Sequence, residues 1–389
     1  MKKTLELQTK VPVLSWAKEV DGKTLAQVVN LANLPFAYHH VALMADAHAG
    51  YGMPIGGVLA LENAIIPNAV GVDIGCGVRI IKTNLGAEDL GKDNLLHEIL
   101  VQISRDIPVG FRHHEEKQEA ELFSKTPNIE ILQKEKEAAK TQVGTLGGGN
   151  HFIEIQSDEE GNVWVMVHSG SRNYGKKTAD YYYKKAIEYD GKNKFETTHR
   201  ELSWFPFDSK EGQEYFRAMN FCLEFAKENR KQMAEKIIAA FLKFIPQFRV
   251  TFEHDIHHNY AAVEDHFGKK LIVHRKGATK AEAGQMCLIP GSMGTKSFLA
   301  EGLGNADSFK TCSHGAGRAM GRKEAKRRFG VAEVLEELRS KNIEIFTPSK
   351  RDLPEEASKA YKNIEEIMAS QADLVKPIHT LSPLGVVKG

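Results

Sequence analysis

A chain of 389 residues, 42% of them hydrophobic, is long enough to bury a large core without disulfide or metal staples. Its 52 lysines and arginines stand against 51 aspartates and glutamates, and the net charge of +1 excludes a globally basic nucleic-acid binder and confines any anionic partner to a local patch. The four cysteines, Cys76, Cys222, Cys287 and Cys312, form no CxxC pair and read as reduced thiols in a cytosol.

The opening "MKKTLELQTKVPVLSW" carries no apolar signal-peptide core, and no stretch approaches the about 18 apolar residues of a membrane span, so a soluble cytoplasmic protein is expected. A helix is predicted over 88–106, and the charge-rich segment 112–140 reads as an exposed insertion. Strands follow at 151–156 and 163–170, then a helix over 176–189. Over 209–243 Tyr215, Phe216, Met219, Cys222, Phe225 and Ala226 recur at three- and four-residue steps, and Ile237, Ile238 and Phe241 resume the face, predicting one long helix. Strands at 247–254 and 271–275 and helices over 331–341 and 357–371 complete the pattern. The order lacks a regular βαβ rhythm, so the fold class is α+β. No proline- or serine-rich linker divides residues 1–389, which predicts a single domain.

In "GVDIGCGV", residues 71–78, Asp73 and Cys76 stand three apart among glycines. A buried carboxylate beside a buried thiol is costly unless a cation offsets both. Of 16 histidines, His48, His151, His168, His258 and His314 each lie near glycine, asparagine or serine at apparent strand ends, where rigid scaffolds present reactive groups. One carboxylate, one thiolate and several imidazoles suit Mn, Zn, Fe or Co rather than Mg or Ca. No C-x2-C pair of a structural zinc site occurs, so the fold must assemble this site. The number of ligands implies two ions bridged by the thiolate. The stretches "GTLGGGNHFIE" (144–154) and "IPGSMGTKS" (289–297) expose backbone N–H groups suited to phosphate oxygens, and beside such ligands they favour a nucleotide.

Together "GVDIGCGV", "GTLGGGNHFIE", "HSGSR", "HHNY", "RKGA", "IPGSMGTKS", "SHGAGR" and "VVKG" resemble, in order and over essentially the whole chain, the RtcB family of 3′-phosphate RNA ligases. The resemblance implies one large α+β domain with mixed sheets around a central metal and nucleotide cleft. It implies a GTP-dependent ligase that joins an RNA 3′-phosphate or 2′,3′-cyclic phosphate to a 5′-hydroxyl, through GMP-histidine and RNA-(3′)pp(5′)G intermediates, in tRNA splicing or RNA repair. Its cofactors would be two Mn2+ ions and GTP. Its partner would be RNA bearing those ends, with the need for an accessory activator protein left open and no membrane.

By the same resemblance, Asp73, Cys76, His151, His168 and His258 are the metal ligands, with Cys76 bridging, and His314 is the histidine that carries GMP. The GTP contacts are Asn150, His151, Phe152, Ile153, Glu154, His258, Asn259, Pro290, Gly291, Ser292, Met293, Ser297, His314, Gly315, Ala316, Gly317 and Lys388. Asp46 and His48 fall in a family motif near the metals, where Ala45 replaces a proline of many relatives, and Arg318 is a phosphate clamp by virtue of its bidentate guanidinium. His39, His40, His113, His114 and His257 are expected at the surface or behind the ligands, and "RKEAKRRF" (322–329) is either a solvated helix face or an RNA-backbone track. Two other readings stay open. One is a dinuclear metal phosphoesterase acting on RNA ends without ligation, which would need neither His314 nor the cradle. The other is a silent RNA-binding relative, which would have lost a ligand or His314.

Overall fold

The computed structural model describes residues 2–92, 94–193 and 197–389, in which β-branched runs pair into two mixed sheets. The smaller has six strands in the order Lys3–Leu5, Val13–Ser15, Ala37–Tyr51, Met53–Leu61, Lys269–Lys276 and Asn259–His266. The larger has eight: Val250–His257, Gly77–Gly86, Asn162–Ser169, Phe152–Ser157, Val375–Lys388, Ser297–Gly302 and Met286–Ile289 in order, with Glu344–Phe346 parallel to Val375–Lys388. The α+β class follows from this mixture.

Alternation along each strand sorts side chains between two faces. In the larger sheet Ile153, Ile155, Val165 and Val167 face one way and pack on Met233, Ile237 and Phe241 of the helix Lys210–Phe244. Each such side chain contributes about 1.5–3 kcal/mol on full burial. The Ser209 hydroxyl caps that helix by accepting the Gly212 N–H at 3.0 Å. The first half of the same helix buries Tyr215, Met219, Cys222 and Phe225 against Tyr174 and Tyr182. In the smaller sheet Val41, Leu43, Leu59 and Leu61 pack on Val28 and Leu31 of the helix Gly22–Ala32. Its other face, with Ala42, Met44, Val58 and Ala60, meets Cys287, Ile289, Phe298 and Ala300 of the larger sheet. The chain passes from one sheet to the other at a single residue, His258, between the strands Val250–His257 and Asn259–His266.

Several elements differ from the sequence expectation. The helix expected over 88–106 is two, Ala87–Leu90 and Leu95–Asp106, broken where Asn94 adopts a φ of 63°; residue 93 of that prediction lies outside the described residues. The helix over 357–371 shortens to Ile364–Ser370, which Asn363 caps. The strand expected over 247–254 is displaced to Val250–His257. Segment 112–140 is exposed on one side only, because Phe123, Ile131, Leu132 and Ala139 turn into the core. Among the described residues no helix is long and apolar enough to cross a membrane.

Candidate metal and nucleotide site

The register of the larger sheet lines up one row of site residues. Val78 pairs with His168, His168 with Phe152, and Phe152 with Lys388, so these side chains share the face opposite the long helix. Asp73 and Cys76 precede the strand Gly77–Gly86, and His151 immediately precedes Phe152–Ser157. His258 reaches the same point from the crossover between sheets. The Cys76 Sγ lies 3.3 Å from both His151 Nε2 and His168 Nε2. His168 Nε2 and His258 Nε2 are 3.4 Å apart, and His151 Nε2 is 3.0 Å from Asp73 Oδ2.

These contacts make two overlapping ligand sets, Cys76–His168–His258 and Asp73–Cys76–His151, which share the sulfur. Burial first, and then the neighbouring His151 charge, drive the His168 pKa well below its usual value. Burial and then His314 do the same to His258, so both rings stay neutral, the form that binds metal. Burial opposes ionisation of Asp73, yet the His151 hydrogen bond and charge hold its carboxyl below the ordinary range. Burial and then Asp73 push the Cys76 thiol well up, a shift that a cation between the ligands reverses by stabilising thiolate. The Nδ1 atoms of His151 and His258 are buried without a hydrogen-bond partner among the described residues. A cluster of buried donors and acceptors that does not satisfy itself, with soft and imidazole ligands, fits divalent transition-metal ions.

Neighbouring residues hold this cluster in place. Arg230, on the long helix and wholly buried, pairs with Asp255 at 2.7 and 2.9 Å and donates to the carbonyls of Gly75 at 3.0 Å and Ser169 at 2.8 Å. Those carbonyls adjoin Cys76 and His168 in sequence. Asn259 does not line the cleft: its amide donates to Asp73 O at 3.0 Å and accepts from Gly277 N–H at 2.7 Å, which ties down the Asp73 loop. A Cβ on Gly147 would fall 2.0 Å from His151 Nδ1, so only glycine leaves room for that ring.

A cavity of about 200 Å³ opens beside the cluster. His48, Asn150, Phe152, Glu154, His168, Pro290, Gly291, Ser292, Met293, His314, Gly315, Ala316, Gly317, Arg322, Glu356 and Lys388 are among the residues that line it. The loops after Ile289 and Ser313 are joined by the Ala316 N–H donating to Pro290 O at 3.0 Å. The His314 ring lies 4.8 Å from that of His258, and its Nδ1 sits 2.6 Å from Asp46 Oδ2. Asp46 is completely buried, and Gly317, at φ 68°, lets the histidine loop approach it, since a Cβ there would meet Asp46 O at 2.3 Å. Ala45 packs in the core before it, so proline is not required to place the carboxylate. At the far end Lys388 Nζ pairs with Glu356 Oε2 at 3.2 Å. Burial raises the Glu154 pKa to about 8, against the opposing pull of its Gln156 hydrogen bond and Lys388. Ser297 lies behind, its hydroxyl accepting from Gln156 Nε2 and Gly291 N–H at 3.1 Å each.

The structure therefore brings together nearly all the expected residues, with three exceptions. Ile153 points to the opposite face of its strand, into the core, because strand side chains alternate and Phe152 and Glu154 take the cleft side. Asn259 and Ser297 act through their neighbours. Arg318 does line the cavity but is no free phosphate clamp, since its guanidinium is spent on Met320 O, Glu355 O, Glu356 and Tyr361. Sequence reasoning missed Arg230, Glu356 and Tyr361, which no local motif marks, and left Arg322 undecided within the basic run 322–329. Of the basic run, only Arg322 reaches the cavity, whereas Lys326 pairs with Asp352 and Glu355. His40, expected at the surface or behind the ligands, is buried with Nε2 on Asp307 O at 2.6 Å.

The candidate ligand cluster has a second opening. Asp73 and His151 also line a separate cavity of about 430 Å³, bordered by Arg172 and Lys176.

The family model described as tRNA-splicing ligase RtcB matches residues 27–389. The RNA-splicing ligase RtcB of Escherichia coli is 39% identical to this chain over 97% of each protein. The tRNA-splicing ligase RtcB of Thermococcus kodakarensis is 33% identical over 96% of this chain and 92% of its own length. RNA-splicing ligase RtcB homolog 1 of Entamoeba dispar is 34% identical over 93% and 81% respectively.

Proposed function

Given that the chain belongs to the RtcB family, we propose that it is a GTP- and manganese-dependent RNA ligase that joins 3′-phosphate ends, or 2′,3′-cyclic phosphate ends once opened by water, to 5′-hydroxyl ends in tRNA splicing or RNA repair. One observation carries the reading: His314, held by a buried carboxylate, stands against His258 of the ion cluster at the mouth of a glycine-lined cavity. Asp73, Cys76, His151, His168 and His258 would hold two manganese ions, whose positive charge would neutralise phosphate oxygens and keep the Cys76 sulfur ionised.

The chain's own residues do the rest. Asp46 fixes the His314 proton on Nδ1, which leaves Nε2 with a free lone pair. That nitrogen attacks the α-phosphorus of GTP, an N–P bond forms, and the bond to pyrophosphate breaks. The RNA 3′-phosphate then displaces His314 to give RNA-(3′)pp(5′)G, and the 5′-hydroxyl displaces GMP to leave a phosphodiester. The loops Pro290–Met293 and Gly315–Gly317 bring backbone N–H groups to the phosphates. Lys388 can donate to guanine O6, and Glu154, once ionised, can accept from the guanine N1–H and amino group. A cytoplasmic setting accompanies this reading, with the need for an activator protein left open.

A phosphoesterase working on RNA ends has no use for a carboxylate-held histidine beside a nucleotide cavity, which favours ligation. Incubation with α-labelled GTP and manganese, followed by denaturation, should leave label on the native chain and none on His314→Ala. Ligation of a defined strand pair, one ending in 3′-phosphate and one beginning with 5′-hydroxyl, should follow. Label retained on His314→Ala, or no joining of that pair, would sink the proposal.

A further inference from the structure

The second opening of the ion cluster contains a feature that the nucleotide cavity does not explain. Its rim is formed by Val72, Asp73, Phe111, His113, Arg172 and Lys176. Phe111 is completely exposed, at 102% of its reference surface, and Val72 is 46% exposed. A phenylalanine left in water forgoes the burial that ordinarily justifies it, and apolar side chains grouped at the mouth of a cavity that reaches buried polar groups mark a binding site. The exposure is also built rather than incidental. Val109 bridges to Leu146, the Gly110 N–H donates to Leu146 O at 2.9 Å, and the Arg112 N–H donates to Val109 O at 3.3 Å, closing a turn with Phe111 at its tip. Arg172 donates to Gly110 O and, at 3.0 Å, to Thr145 Oγ1, so the guanidinium that borders the cavity also braces the turn.

We propose that Phe111 is a stacking platform for the unpaired nucleobase of an RNA end whose reacting group lies at Asp73 and His151. The proposal rests on the ligase reading and goes beyond it by naming a residue that holds the polynucleotide. The chemistry fits an RNA terminus better than a protein surface. An exposed aromatic ring on a braced turn, with Arg112 next to it in sequence and Arg172 and Lys176 on the same rim, offers a flat apolar face for a base and cations for its phosphates, the combination by which proteins hold single-stranded ends. The platform takes any base, because every base has a π-face.

The test uses the full manganese-loaded chain and short RNAs carrying 2-aminopurine, or an abasic site, at the terminal position of either the 3′-phosphate strand or the 5′-hydroxyl strand. The native chain should quench 2-aminopurine in one of the two strands, Phe111→Ala should lose the quench, and Phe111→Tyr should keep it. Ligation by Phe111→Ala should show KM for that strand raised roughly tenfold with kcat little changed. An abasic terminus should raise KM for the native chain by a similar factor and add nothing in Phe111→Ala. The responding strand tells which end enters here. Native quench and native KM in Phe111→Ala, with both strands, would overturn the proposal, as would loss only of an activator protein's effect. A native chain that shows the Phe111-dependent quench but joins no RNA would keep the platform and remove the ligase reading instead.

Discussion

Asp46 Oδ2 lies 2.6 Å from His314 Nδ1 and also accepts the His314 backbone N–H at 3.2 Å, so one buried carboxylate fixes both the ring and the loop that carries it. An amide in its place can donate to Nδ1 and drive the proton to Nε2, the atom that must stay bare. Asp46→Asn should therefore slow GMP labelling of His314 by roughly 10²–10⁴-fold while manganese content stays native. Labelling at the native rate would reduce Asp46 to packing.

The two candidate ligand sets share the Cys76 sulfur, which makes metal content the readout of that residue. Cys76→Ser replaces a soft thiolate with a poorly ionised hydroxyl and should lower bound manganese together with ligation. Cys222 is buried in an apolar cluster that pushes its thiol up to about 12, and Cys222→Ser should retain both. Equal manganese in the two variants, measured by elemental analysis after desalting, would make Cys76 structural.

Arg230 is the only cation among the described residues that pairs with Asp255 while donating to the carbonyls beside Cys76 and His168. Arg230→Met leaves that buried carboxylate with Arg79 at 3.5 Å as its remaining ion pair and takes a donor from two carbonyls. It should cost about 3–5 kcal/mol in denaturant unfolding and reduce manganese affinity in the same variant. A loss below about 1 kcal/mol, within the range of an exposed ion pair, would contradict the anchoring role.

Lys388 is buried, and burial lowers its pKa against the opposing pull of Glu356. A charged hydrogen bond lost from guanine is worth about 1.5–3 kcal/mol, or roughly ten- to a hundredfold in affinity. Lys388→Ala should raise the GTP requirement for self-guanylation by that factor, improve the relative use of ATP, and leave manganese binding alone. Unchanged guanylation at limiting GTP would place guanine selection elsewhere.

Glu154 titrates from 4.5 in the unfolded chain to about 8 in the fold, because burial disfavours its charge. The folded state thus holds a proton that the unfolded state has released between those values. Stability must fall as pH rises through that window, with the penalty absent below 4.5 and complete above 8. Glu154→Gln removes the penalty, so its thermal midpoint should exceed the native one at pH 8.5 and match it near pH 4.5. A constant difference across that range would show that Glu154 is not the titrating group.

What the sequence made legible follows physical range. Asp73 and Cys76 stand out as an acid and a thiol among glycines, and His48, His151, His168, His258 and His314 as histidines at strand ends, but only the family resemblance selects Asp73, Cys76, His151, His168 and His258 from among them as a ligand set. The helix Lys210–Phe244 was legible because its apolar face recurs over many turns. The break at Asn94 was not, since a left-handed residue leaves no periodic trace. Ile153 fell on the wrong side because a contiguous motif ignores strand alternation. Arg230 was invisible because a buried arginine in mid-helix looks like any solvated one until Asp255 arrives from another element. Asp46 and His314, 268 positions apart, meet only once the fold has closed.

The hairpin Phe152–Ser157 and Asn162–Ser169 uses one face for the core and the other for chemistry, which sets a limit on how its length can change. A one-residue slip of Phe152–Ser157 would exchange its faces, turning Phe152 and Glu154 toward the long helix and Ile153 toward the cleft. The same slip would unpair His168 from Phe152 and Phe152 from Lys388. Insertions and deletions can be absorbed only at the far turn, Asp158–Gly161, where no site residue lies. Point substitutions in these strands are graded in effect, whereas a change of length by one is all or none.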